Sequence, residues 1–201
     1  MNYNSKVHHR KSIRLKGYDY SQAGLYFITI CVQDRKCLFG KIVDGEMILN
    51  DAGKIADECW LEIPNHFPNV ILHEHIVMPN HVHGIVELKQ NDVANVRVKI
   101  FQPIPPQTEL PVGAENFLPL QPPNEPPRNE FQKMIPRSIG SVVKGFKIGV
   151  TKWFRNNTDI EKLWQRNYHE HIIRDEQSYQ RISDYIINNP KNWKEDKFYE
   201  Q

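Results

Sequence analysis

Histidines at alternate positions are the first feature of this chain with chemical potential, because one face of a strand can aim two imidazoles at a single cation. Three such pairs occur: His73 with His75, His81 with His83, and His169 with His171. On a strand, residues i and i+2 share a face about 6.5 to 7 Å apart, within reach of one divalent ion. Spacing alone does not choose among them. His81 and His83 enclose Val82 and run on into Ile85 and Val86, as expected of a central strand that packs one face and offers polar groups on the other. The other two pairs enclose a glutamate, which suits a more exposed strand. Histidines that are exposed or hydrogen-bonded without any metal are the competing reading for each pair.

Two imidazoles leave an ion short of donors, so another element must bring one. The last helical pattern offers it. Its wheel centres on Tyr179, Ile182 and Ile186, with Tyr185 at the edge of that stripe and Asn189 nearly above it at i+4. Tyr179 therefore reads as core, and Tyr185 as a residue able to face a cleft. A half-buried packing tyrosine with a wet hydroxyl is the plainer alternative for Tyr185. Asn189 precedes Pro190, which disfavours helical backbone there, so Asn188 competes as the donor. The stretch GSVVKGFK from Gly140 comes near a phosphate-binding loop but has Phe146 where the lysine belongs, and the chain has neither GxSxG nor HExxH.

The elements that must position these groups can be read from the same sequence. Leu25 to Val32 is β-branched and aromatic, the composition of a buried strand, and leads to a hairpin signal at Asp44-Gly45. Asn50 can cap a helix running to about Ile63, with Ile55, Ala56, Cys59 and Ile63 on one face. Two strands, Val70 to Val77 and His81 to Leu88, are joined at Met78-Pro79-Asn80. From Ser138 to Arg155 the wheel separates Ile139, Val142, Val143, Phe146, Val150, Trp153 and Phe154 from Arg137, Lys144, Lys147, Lys152 and Arg155, leaving Ile148 on the wrong side. Gly140, Gly145 and Gly149 each weaken that helix by about 1 kcal/mol relative to alanine. A strand around Trp164 to Ile173 and a helix from about Asp175 to near Pro190 follow. This order predicts an α+β fold: a ferredoxin-like antiparallel sheet covered by helices, with an extra C-terminal helix.

Composition bounds the rest. A chain of 201 residues, 39% hydrophobic and 25% charged, is one globular domain with an insertion or at most two small ones. Ten of its fourteen prolines fall between Pro103 and Pro136, so the expectation is a single domain over 1–201 interrupted by a proline-rich insertion at about 90–136. No apolar run approaches the roughly 18 residues of a membrane span, and the N-terminus lacks a signal-like apolar core, which predicts a soluble cytoplasmic protein. Cys31, Cys37 and Cys59 are odd in number and lack CxxC spacing, so they read as reduced packing residues. A net charge of +2 is too mild to prove a nucleic-acid partner, but its distribution is uneven. Lys6, Arg10, Lys11, Arg14 and Lys16 form one basic run, and Arg137 to Arg155 forms a second with no acidic residue. Either is also consistent with an ordinary solvated face.

Four blocks carry a resemblance that single motifs do not: GLYFITI from Gly24, HIVMPNHVHGIV from His75 to Val86, LWQRNYHEHIIRD from Leu163, and DYIINNP from Asp184 to Pro190. In these the chain resembles the single-tyrosine transposases of the HUH class, and most closely those associated with repetitive extragenic palindromes (REP). The resemblance implies an HUH transposase domain in which His81 and His83 are metal ligands, Asn189 completes the metal site and Tyr185 is the nucleophile. His171 matches a histidine often seen before the last helix and is a candidate for the surrounding shell. The proline-rich insertion has no counterpart in the family pattern.

The activity so implied is cleavage and rejoining of single-stranded DNA of hairpin or palindromic structure through a 5′-phosphotyrosine, with Mg²⁺ or Mn²⁺ as cofactor. Phosphate contacts would come from Arg10, Lys11, Arg14 and Lys16 of the N-terminal arm and from Lys144, Lys147, Lys152 and Arg155 of the basic helix. The rival readings are a ferredoxin-like module that binds hairpin DNA or RNA without catalysis, and a metal phosphoesterase that activates water. Nothing in the sequence chooses between a monomer and a homodimer, names the DNA target, or separates a mobile element from a host-serving role.

Overall fold

The computed structural model describes residues 18–90 and 135–199. The arm carrying Arg10, Lys11, Arg14 and Lys16 and the stretch 91–134 lie outside them. Six strands and four α-helices are present among the described residues: β1 (Gly24–Cys31), β2 (Gly40–Val43), β3 (Glu46–Leu49), α1 (Asp51–Leu61), α2 (Ile63–His66), β4 (Val70–Met78), β5 (His81–Leu88), α3 (Ile139–Asn157), β6 (His169–Ile173) and α4 (Glu176–Asn188). Four strands make one antiparallel sheet in the order β4-β5-β1-β6, and β2 and β3 form a separate hairpin. Without that hairpin the chain runs β1-α1-β4-β5-α3-β6, the split βαβ order of a ferredoxin-like sheet, with α4 added at the end.

Alternation along β1 and β5 gives the sheet two different faces. Tyr26, Ile28 and Ile30 of β1 and Val82, Val86 and Leu88 of β5 are fully buried against α1 and α3 in the main core. Their neighbours in sequence, Phe27, Thr29 and Cys31 with His81, His83 and Ile85, face the other way. There Ile85 and Ile173 pack on Ile182 and Ile186 of α4, and Cys31 and Met78 pack on Trp193 and Phe198. The sheet is thus a middle layer, with α1 and α3 on one side and α4 on the other.

Local signals set most of the element ends. Asp44 and Gly45 take positive φ (50° and 79°), the turn that joins β2 to β3 with a two-residue loop. The Asn50 side chain accepts a bond from the Gly53 N–H at 2.9 Å and caps α1. Ser138 caps α3 and Asp175 caps α4 in the same way.

Two expectations shift. The strand expected from Trp164 begins only at His169, because Trp164 makes an isolated bridge to Val32 and then turns its ring into the core. Of the face expected on α1, Ala56 and Ile63 are buried and Cys59 packs at the margin of the core, but Ile55 gives way to Ala52 and Trp60 in the buried stripe. Gly145 and Gly149 of α3 face Phe67 and Cys59, where an added Cβ would meet atoms at 3.0 and 3.1 Å. Their helix-weakening cost therefore goes with a close approach of α3 to its neighbours. Ile148 is 57% exposed, on the solvent side as the wheel placed it.

Candidate active site

The two imidazoles of β5 lie side by side, ring centroids 4.3 Å apart, and both are fully buried. Each has one nitrogen fixed by a neighbour. His81 Nδ1 lies 2.8 Å from Asn80 Oδ1. The Asn80 amide is itself locked, since its Nδ2 donates to the carbonyls of Arg35 and Phe198 at 3.0 and 2.8 Å. Its oxygen must therefore accept, so His81 carries its proton on Nδ1 and leaves Nε2 as a lone pair. That Nε2 is buried and has no hydrogen-bond partner among the described residues. His83 Nδ1 meets the Thr29 hydroxyl at 2.8 Å, which leaves its Nε2 facing the same pocket. A partner on the far nitrogen is how ligand histidines are oriented in metal sites.

The phenol arrives from α4. Tyr185 Oη lies 3.2 Å from His83 Nε2 and donates to Asp196 Oδ2 at 2.8 Å. The ring stands edge-on to Phe27, with centroids 6.1 Å apart, and 5.2 Å from the His83 ring. Tyr185 remains 38% exposed, so solvent reaches the residue although the histidines beneath it are sealed. Four positions on, Asn189 is 1% exposed. It keeps helical backbone (φ −57°, ψ −42°) in spite of the following proline, because the chain continues in a tight turn in which Asn192 N–H donates to the carbonyls of Asn188 and Asn189. Asn189 Nδ2 donates to Asp196 Oδ2 at 2.8 Å, and its Oδ1 is buried with no partner among the described residues. Asn188, the competing donor, spends its side chain on the Asp184 carbonyl.

Asp196 is the member that sequence reasoning missed. It follows α4, after a single 3₁₀ turn at Trp193–Glu195, where no periodicity marks it. A ring nitrogen from each of His81 and His83 and a carboxylate oxygen of Asp196 all lie within 4.8 Å of one another. Burial pushes both imidazoles well below the usual histidine pKa; nearby Lys197 reinforces this in each, and for His83 so does the His81 charge. Both rings are thus neutral, the form that binds metal. Burial, followed by the Asp196 hydrogen bond and charge, raises the Tyr185 pKa. Burial pulls the Asp196 carboxyl upward too. The Phe198 N–H, the Asn189 amide and the Tyr185 hydroxyl outweigh it and leave the carboxyl below its ordinary value.

Two bare, buried donors, His81 Nε2 and Asn189 Oδ1, beside a neutral His83 make a nitrogen- and oxygen-rich set that fits a small divalent cation. Phe198 roofs it, its ring 4.7 Å from that of His81, with Arg35 and Lys197 over the same ring at 5.6 and 4.8 Å.

The other predicted residues are scattered around this centre. His171 is exposed on β6 opposite Phe27. His169 sits beside the site instead: it pairs with Thr29, and its ring is 6.2 Å from Phe198. Lys144, Lys152 and Arg155 are exposed on α3. Lys147 is not: its Nζ donates to the carbonyls of Gln165 and Asn167 at 2.9 and 3.1 Å, and burial brings its pKa down to about 8. The His73–His75 pair is also committed elsewhere, His73 to Tyr179 and Glu87, His75 to Asp57. Tyr179, read as core, packs against the cluster of Ile85, Ile173, Ile182 and Ile186 and at its edge places its hydroxyl on Glu74 and His73.

The fold is that of a solved REP-associated tyrosine transposase bound to a REP hairpin. The two superpose with a TM-score of 0.53 over 88% of this chain and 72% of that one, at 16% identity. In sequence the chain resembles a Haemophilus influenzae protein that carries the provisional name REP-associated tyrosine transposase, with 24% identity over 174 residues, 86% of this chain and 73% of the relative. A second Haemophilus influenzae protein, named only as an uncharacterized protein, is 45% identical over 198 residues, 98% of this chain and 97% of that one, and the chain belongs to its family. No protein-family model matches the chain. Among the described residues no helix is long and apolar enough to cross a membrane.

Proposed function

We propose that the chain is a metal-dependent tyrosine endonuclease and strand transferase of the HUH class, acting on single-stranded DNA that folds into hairpins. The observation that carries this reading is the approach of Tyr185 Oη to within 3.2 Å of His83 Nε2, in a pocket where His81 and Asn189 hold out unpartnered donor atoms. A packing tyrosine has no need of two neutral imidazoles beneath its hydroxyl. The name of the 24% relative and the hairpin in the structural neighbour support the substrate class.

In this reading the Tyr185 oxygen attacks the phosphorus of a phosphodiester, forming a 5′-phosphotyrosine and releasing a 3′-hydroxyl. The covalent link conserves the reactivity of the bond, so rejoining needs no nucleotide cofactor. His81, His83 and Asn189 would hold Mg²⁺ or Mn²⁺, which when bound neutralises a non-bridging phosphate oxygen and offsets charge growing in the transition state. Asn80 keeps His81 in the ligating tautomer, Thr29 anchors the Nδ1 side of the His83 ring, and Phe27 keeps the phenol ring upright over them. Arg35 and Lys197 bring positive charge to the pocket, suited to the DNA backbone. The described residues hold every strand and helix of one ferredoxin-like domain, which supports the reading of the whole chain as a single HUH domain with an insertion at about 90–136.

The test is a labelled hairpin oligonucleotide incubated with protein and Mn²⁺, then run on a denaturing gel. Wild type is expected to give a covalent protein–DNA band. Tyr185→Phe should abolish that band while hairpin binding persists; an undiminished band from the variant refutes the assignment. Binding without any adduct from the wild type would favour the non-catalytic module, and cleavage without an adduct would favour a water-activating phosphoesterase.

A further inference from the structure

We infer that Asp196 is the catalytic base of this site, taking the proton of the Tyr185 phenol as it attacks; the inference rests on the reading of Tyr185 as nucleophile. Asp196 is also close enough to His81 and His83 to be counted as a metal donor. The distribution of hydrogens around it decides between the two roles. Its Oδ2 already accepts the Tyr185 hydroxyl and the Asn189 amide, both at 2.8 Å, and its Oδ1 accepts the Phe198 N–H at 2.7 Å. By contrast, His81 Nε2 and Asn189 Oδ1 have no partner among the described residues. The bare lone pairs are those suited to a cation, while the carboxylate is already occupied with protons, one of which belongs to the reacting atom.

The same carboxylate also orients the ligand. By taking the Asn189 N–H, Asp196 fixes the amide with its oxygen buried and free of any hydrogen-bond partner among the described residues, and thus ties nucleophile and ligand to one group. Its own position is set by the Phe198 N–H and by the Asn80 amide, which holds the Phe198 carbonyl at 2.8 Å.

The step balances without any further reagent. The bond formed is Tyr185 Oη–P and the bond broken is P–O3′. The phenol proton passes to Asp196 Oδ2, and O3′ leaves with the bonding pair and takes a proton from water. Asp196 then returns its proton to solvent, so none is consumed overall. In rejoining, the attacking 3′-hydroxyl gives its proton to water as the P–O3′ bond forms, the Oη–P bond breaks, and Asp196, protonated again from solvent, returns a proton to the departing phenolate.

The experiment measures single-turnover adduct formation on a hairpin oligonucleotide for wild type and Asp196→Asn, each made with tyrosine or with the more acidic 3,5-difluorotyrosine at position 185. Mn²⁺ affinity without DNA and hairpin affinity are measured alongside. A base should be worth about 10²- to 10⁴-fold in rate. Asp196→Asn is therefore expected to slow adduct formation at least about 100-fold, with fluorination recovering at least about tenfold of that loss because an acidic phenol needs less help. Hairpin affinity should be unchanged. A full rate in Asp196→Asn overturns the inference while leaving Tyr185 as nucleophile. So does a slow variant that fluorination does not rescue and that has lost Mn²⁺ affinity, since that pattern belongs to a ligand. Asp196→Ser, which removes the charge with a smaller side chain, is read by the same criteria if the asparagine variant does not bind the hairpin. Absence of any adduct from wild type, or an adduct surviving Tyr185→Phe, marks failure of the underlying reading instead.

Discussion

The candidate site is organised less by the histidines than by the side chains that hold them, an amide at His81 and a hydroxyl at His83. Asn80 uses both ends of its side chain: its oxygen fixes the His81 proton on Nδ1, and its nitrogen ties together the backbone of Arg35 and of Phe198. Replacing it with alanine removes the group that chooses the tautomer, so His81 can present N–H instead of a lone pair to the pocket. Loss of such an orienting partner ordinarily weakens metal binding about 10- to 100-fold. Two carbonyls also lose their donor, at about 1 to 3 kcal/mol for each that stays buried and unpaired. Asn80→Ala is therefore expected to bind Mn²⁺ at least about tenfold more weakly by calorimetry on the protein alone, and to melt at lower temperature. Equal affinity would show that the tautomer is set elsewhere. Asn80 stands next to His81 in the sequence, yet nothing in its type distinguishes an orienting amide from a turn residue after proline. Asp196 was more deeply hidden, because it reaches Tyr185 only through the reversal of the chain after Pro190.

Elements that are periodic could be read, and those set by contact between distant segments could not. The β5 strand, the α3 wheel and the α4 stripe with Asn189 one turn beyond Tyr185 all follow from spacing of two or of 3.6 residues, and so did the ferredoxin-like order. Trp60 did not, because its burial depends on a gap in a strand some 24 positions away. Gly84, immediately after His83, leaves that gap: a Cβ there would lie 2.2 Å from Cζ2 of Trp60 and collide with the rigid indole. The Trp60 ring in turn stacks on His75 and meets Phe146 edge-on, so it has no free direction in which to move. Overpacking of this kind costs about 1 to 3 kcal/mol. Gly84→Ala is expected to lower the midpoint of urea unfolding accordingly, and Trp60→Leu in the same chain to recover part of the loss. Additive losses in the double variant would mean that the two residues do not share this contact. Since β5 carries both imidazoles, Gly84→Ala should also disturb metal affinity, whereas the glycines of α3 lie on the far side of the sheet.

The three layers of the molecule separate two kinds of basic residue. Tyr185 and its histidines lie on the α4 side of the sheet, beside Arg35 and Lys197, while Lys144, Lys152 and Arg155 are exposed on α3, on the other side. A DNA strand touching both must pass around an edge, and β6 is the edge beside α3, where Lys147 binds the segment leading into that strand. Phosphate contacts far from the scissile bond contribute affinity by counterion release but nothing specific to the transition state. Replacing Lys144, Lys152 and Arg155 together by alanine is therefore expected to weaken hairpin binding and to reduce the slope of log affinity against log salt by about 1 for each phosphate no longer neutralised, so at most about 3. The rate of adduct formation in the saturated complex should not change. A changed rate with an unchanged salt slope would mean that α3 acts on the site through the fold and not through DNA. Lys147 should behave differently from its three neighbours, because its ammonium is already spent on two carbonyls. Lys147→Ala is expected to lower thermal stability and leave the salt slope as it was, which separates the lysine that builds the molecule from those that would hold its substrate.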